Sequence, residues 1–391
     1  MAKPIAIYTG YMIRYPLGGH VLSELQNIVG LQRLGYDVIY VEENGGDWPS
    51  CYDPVQNTMT TDPTYGLGEV RRVLRPYDID QRVCFLDASG RYHGLDAATL
   101  GDLCRQSTML FGHSRVTWLE EFRECRTRVF IDTDPAITQF ELVEHPRASG
   151  SGYVSPHDFQ FCFTLGERIG KPDCPIPTDG LRWLPPRWPL VPGLVPVRFT
   201  PHAPRFTTVM SWSARGTMTC GGVAYGDKNA ELLKLLDLPQ RTGAVFELAL
   251  AGGHDAEARL EQAGWVISDS HAATRNLEAY LDFIGRSRGE FSVAKNVYVA
   301  TRSGWFSERT LAYLAGGKPA IVQDTGWSDI IPTGEGVFAF CTADDIASAV
   351  EAIAKDYRHH CKAARKIAEE YFDSDKVLGA LLRQCDLPAV S

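Results

Sequence analysis

At 391 residues the chain is long for one hydrophobic core, so two domains of ordinary size are expected. Its 44% hydrophobic and 22% charged residues have the balance of a soluble globular protein, and a net charge of -9 argues against a nucleic-acid backbone or an anionic membrane surface as the main partner. A small-molecule partner is expected instead. No stretch near the N-terminus has the order of a signal peptide, and no apolar run approaches a membrane span. The ten cysteines are scattered without a C-x-x-C pair, so they read as buried free thiols in a reducing cytoplasm rather than as a disulfide frame or a zinc site.

In chain order, Pro4-Ile5-Ala6-Ile7-Tyr8 has the composition of a strand. LGGHVLSEL follows at 17 to 25, and Val21, Leu25, Ile28 and Val29 recur at helical spacing until Gly35 ends the run. Val38-Ile39-Tyr40-Val41 reads as a second strand. A strand, glycine-rich turn, helix and strand present the turn at the carboxyl edge of a parallel sheet, beside a helix N-terminus that favours anions. His20 stands at that edge, where it fits either a helix cap or a working base with a pKa near neutrality. Gly18 and Gly19 precede it, and Tyr11, Arg14, Tyr15 and Trp48 flank the first two strand ends, where aromatic faces suit an acceptor pocket.

Further strands are expected at Val83-Cys84-Phe85-Leu86, Met109-Leu110-Phe111, Arg128-Val129-Phe130-Ile131 and Phe159 to Phe163. They end in polar turns at Asp87, Gly112-His113, Asp132-Thr133-Asp134 and Gly166-Glu167. Asp132-Thr133-Asp134 looks like a D-x-D metal motif, but Pro135 follows at once and favours a turn. One of its acids, Asp132, is a candidate to orient His20 by a hydrogen bond.

Between Pro172 and Pro204 lie ten of the 23 prolines, a density that excludes regular helix and central strand. The division is set here: residues 1–200 as the first domain, with 172–204 as its stiff connector, and 205–370 as the second. Residues 371–391 are expected to form a helix that packs back on the first domain. The second domain alternates again: a strand at Thr207 to Met210, a helix from Lys228 to Leu236, a strand at Val245 to Leu250 and a helix at Ala256 to Ala263. A strand at Trp265 to Ile267, a helix around Leu277 to Ile284, a strand near Val297 to Ala300, a helix from Ser307 to Ala315 and a strand at Ala320 to Val322 follow, before two closing helices. Two such runs in tandem predict an α/β protein of two doubly wound parallel sheets facing across a cleft.

The most informative stretch is YVATRSGWFSERTLAYLAGGKPAIVQDTG, from Tyr298 to Gly326. A turn at Ser303-Gly304-Trp305-Phe306 leads through Ser307 into a helix with Glu308 in its first turn, and the next strand opens into Asp324-Thr325. Free amides at such a turn suit a nucleotide diphosphate, and a carboxylate on the same face suits ribose hydroxyls.

This segment resembles the nucleotide-sugar-dependent glycosyltransferases of the GT-B fold. LAGGKPAIVQDTG is similar to their A-x-G-x-P, strand and short Asp- or Gly-containing loop, and SGWFSE echoes the Gly-Trp-x-Ser of plant and antibiotic glycosyltransferases. The family's helix acid would fall at Ala312, whereas the nearby acid is Glu308, one turn displaced on the same face. GDKNAELL, with Lys228, resembles the Lys-bearing helix start that meets donor phosphate in the retaining branch, with Ser213 and Arg215 as neighbours. GGHVLSELQNIVGLQRLGYDVIYVE resembles the Gly-Gly-His opening of the inverting branch, where the His is the general base.

The resemblance implies a donor site of Ser213, Arg215, Lys228, Ser303, Gly304, Trp305, Phe306, Ser307, Glu308, Asp324 and Thr325. It faces an acceptor site of Gly18, Gly19, Tyr11, Arg14 and Tyr15. Catalysis would fall to His20, helped by Asp132, with no metal or resident cofactor; His20 as base implies inversion, whereas the Lys228 match points toward retention. The expected partners are a nucleotide sugar, with UDP or dTDP as the carrier, and a small-molecule acceptor. A nucleotide-sugar epimerase and a non-catalytic sugar-nucleotide sensor share the same two-domain plan and stand as alternatives.

Overall fold

The computed structural model describes residues 3–44, 50–144, 154–214 and 216–389. Trp48 and Arg215 lie outside the described residues. The first half contains β1 (Ile5–Thr9), β2 (Asp37–Glu43), a small hairpin of β3 (Cys51–Asp53) and β4 (Thr58–Thr60), β5 (Val83–Leu86), β6 (Tyr92–Gly94), β7 (Met109–His113), β8 (Arg128–Asp132), β9 (Phe161–Thr164) and β10 (Trp183–Leu184). The second half contains β11 (Arg205–Ser211), a hairpin of β12 (Met218–Cys220) and β13 (Val223–Tyr225), β14 (Val245–Ala251), β15 (Val266–Asp269), β16 (Gly289–Ser292), β17 (Ala320–Gln323) and β18 (Val337–Phe340).

The first sheet runs β10-β9-β8-β7-β1-β2-β5-β6, and only β6 joins it antiparallel. The second runs β15-β14-β11-β16-β17-β18, all parallel. In both, the chain builds outward to one side from the first strand and then crosses back, so each sheet has a switch point beside that strand. Those points lie between β1 and β7 and between β11 and β16. Ligands of doubly wound sheets bind at the carboxyl edge of such a point.

Two expectations for the second half are corrected. Val297 to Ala300, β-branched in composition, lies in a short helix, Asn296–Ala300, and the strand of that region is the earlier Gly289–Ser292. GEFS carries little strand propensity, but it is buried along its length between β11 and β17, and tertiary pairing overrides local preference. The helix expected from Lys228 to Leu236 is shorter, Lys228–Leu232, with a 3-10 turn at Leu233–Leu235.

The two halves share one interior. The Gly18–Arg33 helix packs on the start of the Leu277–Arg286 helix, and a Cβ on Gly18 would lie 2.3 Å from the Asn276 carbonyl oxygen and 2.5 Å from Tyr280 Cβ. Only glycine permits that approach. The proline-rich connector is stitched to both sides: Trp188 Nε1 donates to the Phe306 carbonyl at 2.8 Å, and Val191 N donates to Gln26 Oε1 at 2.6 Å. The last helix, Ser374–Gln384, sends Leu378, Leu381 and Leu382 into the same apolar cluster as Val21 and Leu25. Asp375 accepts two hydrogen bonds from Arg33, at 3.0 and 2.7 Å. No helix among the described residues is long and apolar enough to cross a membrane.

Candidate active site

The loop after β1 is held by its own buried acids. Four consecutive amides donate inward: Tyr11 N to Glu24 Oε1 at 2.9 Å, Met12 N to Tyr40 Oη at 2.8 Å, and Ile13 N and Arg14 N to the two oxygens of Glu42 at 2.7 and 2.8 Å. The loop's amides are thus satisfied from inside the fold, two of them by the single carboxyl of Glu42. The loop therefore presents Tyr11 and Tyr15 in fixed places, and the helix that follows begins at Gly18 and carries His20 in its first turn.

His20 stands on the first-half wall of a cavity of about 560 Å³ that opens between the two sheets. The second-half wall brings up Lys228, Glu308 and Arg309, while Tyr15 and Tyr280 flank the histidine side. Lys228 begins its helix behind Asp227, which caps it, and its ammonium has no hydrogen-bonding partner among the described residues. Burial and the neighbouring Arg309 and Lys295 push its pKa down to about 7, against the pull of Glu308. Arg309 is buried and tied by its Nε to Glu290 at 2.8 Å, by Nη1 to the Val209 carbonyl at 2.9 Å, and to the Ser292 hydroxyl. Burial pushes His20 below the ordinary imidazole range, with Glu308 opposing, so the ring is neutral at neutral pH. Its Nδ1 is buried without a hydrogen-bonding partner among the described residues. The ring is held by aromatic edges, with Tyr11 at 4.9 Å and 74° and Tyr15 at 6.5 Å and 83°.

Of the expected site residues, the cleft gathers Gly19, Tyr15, His20, Lys228 and Glu308. The others are placed differently. Asp132 does not orient His20: its oxygens accept from Asp134 N at 3.0 Å, Thr138 Oγ1 at 2.7 Å, Gln139 Nε2 at 2.8 Å and Thr164 Oγ1 at 2.7 Å, so the carboxylate is spent on its own turn. Tyr11 and Asp132 line a separate cavity of about 140 Å³. Arg14 is no acceptor contact, because it is buried in an ion pair with Glu42 at 3.1 Å and donates to the Asn44 and Val116 carbonyls. Gly18 serves the contact between the halves described above.

The turn at Ser303 to Phe306 keeps the amides of Ser303, Gly304 and Trp305 for itself, Ser303 N donating to the Tyr298 carbonyl at 3.2 Å. Gly304 N donates to the Thr325 carbonyl at 2.7 Å, Trp305 N to Ser303 Oγ at 3.3 Å, and Thr325 Oγ1 to the Trp305 carbonyl at 2.6 Å. Gly304, at φ +79°, lies close enough that a Cβ would meet Arg168 N at 2.8 Å, so this turn seals the two halves together. Phe306 packs between Trp327 and Phe372. Asp324 accepts from Gly326 N at 2.9 Å within its own loop, and Ser307 caps its helix by accepting from Arg309 N at 3.2 Å. Ser213 accepts from Gly216 N at 3.2 Å in an exposed turn. The charged side chains that the second half brings to the cavity include Lys228, Glu308 and Arg309.

Arg309 was not singled out by sequence reasoning, although a lone cation ahead of the apolar run TLAYLA marks a buried arginine that requires partners. Tyr52 and His271 were also missed: Tyr52 Oη lies 2.8 Å from His271 Nδ1 across the mouth of the cleft, joining the β3-β4 hairpin to the second half. No local pattern marks that pair.

No family model matches the chain, and no curated protein matches it. Solved structures do. The chain is similar to a sucrose-phosphate synthase from Thermosynechococcus elongatus, at 11% identity over 98% of this chain and 99% of that one with a TM-score of 0.52. It is similar to HepE of Anabaena in complex with UDP-glucose, at 12% identity over 98% and 99% of the two chains, TM-score 0.52. An α-glucosyltransferase in complex with UDP and a 13-mer DNA matches at 8% identity over 98% and 99% of the chains, TM-score 0.57. The shared fold is GT-B.

Proposed function

We propose that this GT-B chain is a nucleotide-sugar-dependent glycosyltransferase, which moves a sugar from a nucleoside-diphosphate donor to a hydroxyl of a small-molecule acceptor. The observation that carries the reading is the pairing across one cleft of a neutral His20 with the cations Lys228 and Arg309. The donor diphosphate would lie on the second half, where Lys228 supplies an unengaged ammonium and Arg309 an oriented positive field beside the N-terminus of the Glu308–Ala315 helix. Glu308 would accept hydrogen bonds from donor hydroxyls.

In the reaction the acceptor oxygen forms a bond to the anomeric carbon as the bond from that carbon to the diphosphate oxygen breaks. The electron pair leaves on the diphosphate, whose growing charge the two cations stabilise without need of a metal ion. His20 takes the acceptor's proton, which requires the neutral imidazole that its burial favours. Attack from the His20 side on a donor held at the opposite wall favours inversion. The UDP-glucose bound by HepE supports UDP as the carrier, with dTDP next. Seven of the ten cysteines are buried and all ten are free, which suits a reducing compartment, so we assign the enzyme to the cytoplasm.

The test begins with thermal shifts against UDP, dTDP, GDP and ADP and their glucose conjugates, since a ligand of the folded state raises its apparent stability. Nucleotide release that depends on an added acceptor supports transfer. An epimerised sugar without acceptor supports an epimerase, and binding without turnover supports a sensor.

A further inference from the structure

We infer that Glu24 is a positioning residue for His20, acting through the Gly10-Tyr11 turn; the inference rests on the reading of His20 as the general base. A catalytic imidazole is usually aimed by a carboxylate on its second nitrogen. Among the described residues His20 lacks that partner: its Nδ1 is buried and unbonded, and Asp132 is committed elsewhere. The Tyr11 ring packs edge-on against the His20 ring at 4.9 Å and the Tyr15 backbone carbonyl also acts on the imidazole, both from the loop whose Tyr11 main chain hangs from Glu24 Oε1 at 2.9 Å.

Glu24 lies four residues after His20, so both rise from one face of the same helix. The carboxyl fits beneath the turn only because residue 10 is glycine: a Cβ there would stand 1.7 Å from Glu24 Oε2. Glu24 is fully buried, and burial raises its pKa well above the ordinary carboxylate range despite the Tyr11 amide. A neutral carboxylic acid accepts one amide hydrogen much as a glutamine carbonyl does. The site therefore needs the acceptor oxygen and the shape of Glu24, and not its charge. The charged and titratable groups that face His20 are Glu308 from the second half, His113 from the end of β7, and Tyr11 and Tyr15 from the loop.

The experiment follows the His20 imidazole by NMR in the full chain, with H20A to assign its resonances, in E24Q, E24A and G10A. E24Q is expected to keep the wild-type titration and the ring-current shifts from Tyr11. E24A and G10A are expected to move both toward those of a solvated histidine, with the pKa rising. UDP release from UDP-glucose, with water as acceptor, is expected to fall in the same two variants by roughly 10- to 100-fold in kcat, as for a misplaced reacting group, while KM for UDP-glucose stays near wild type. An unmoved His20 in G10A overturns the inference, even where E24A fails to fold, and so does a His20 displaced equally in E24Q. If wild-type protein neither binds nor releases nucleotide from any of the UDP, dTDP, GDP and ADP glucose conjugates, the glycosyltransferase reading falls, while the NMR series still decides whether Glu24 positions His20.

Discussion

Lys228 and Arg309 reach the same wall of the cleft, but Arg309 is fastened by Glu290, Val209 and Ser292 whereas Lys228 has no hydrogen bond on its ammonium among the described residues. Removing them should therefore have different consequences. K228A should leave the melting temperature near wild type and weaken UDP binding by ~1.5–3 kcal/mol, the worth of a hydrogen bond to a charged group, read by calorimetry. R309A leaves Glu290 buried without its cation and should cost about 3–5 kcal/mol of stability in denaturant unfolding. Equal effects of the two on stability would remove the distinction.

The pH profile follows from the two shifted groups. On the proposal that His20 takes the acceptor's proton, it must be neutral to act, and its lowered pKa predicts activity that rises with pH on the acid side and reaches its plateau below the pH of an ordinary histidine. Lys228, at about 7, is charged below that pH and loses its proton above it, so kcat/KM for the donor should fall as pH rises through about 7. The bound diphosphate would hold the proton on, so kcat should keep its plateau to higher pH than kcat/KM. K228R should abolish the alkaline limb of kcat/KM, because arginine stays charged. An alkaline limb that persists in K228R would assign it to another group.

Arg14 separates structure from recognition. R14A leaves Glu42 buried beside the amides of Ile13 and Arg14 without its cation, and should destabilise the chain by about 3–5 kcal/mol in chemical unfolding. Donor binding by the fraction that remains folded should be unchanged. A stable R14A that instead fails only in acceptor use would restore Arg14 to the acceptor site.

Two adjacent glycines should respond oppositely to the same change. G18A sets a methyl 2.3 Å from the rigid Asn276 carbonyl, and the overpacking should cost about 1–3 kcal/mol, read as a lower melting temperature. G19A meets only the Tyr280 ring at 3.5 Å, ordinary contact, and should melt near wild type. Comparable losses in both would mean that the contact between the halves does not depend on Gly18.

Much of the architecture was legible because it is written locally. The run from Ile5 through the Gly18–Arg33 helix to Val41 carries a strand, a helix and a strand in its periodicity alone, and the proline-rich connector announces itself by composition. Where the reading slipped, local preference and burial disagreed: Val297 to Ala300 has strand composition in a helix, and GEFS is an unremarkable sequence given strand form by two neighbours. The lining of the cleft was legible in part. His20, Lys228 and Glu308 were each found at a strand-to-helix turn, and all three meet in the cleft. Ser303 to Phe306 were found by the same logic and do not line it: the Gly304 and Trp305 amides bond to Thr325 and Ser303, and the Phe306 ring packs against Trp327 and Phe372.

The sequence by itself determined the alternation of strands and helices and the turns where polar groups reach a sheet edge, since each of these is a matter of spacing along one segment. The tertiary structure alone decided which of those groups face one another. His20 and Lys228 lie 208 positions apart, Tyr52 and His271 meet across 219, and Asp132 turns to Thr138, Gln139 and Thr164 rather than to His20. Periodicity reports which face of an element is buried. It carries no record of what that face is buried against, because that depends on how two sheets and the helices between them pack at close range.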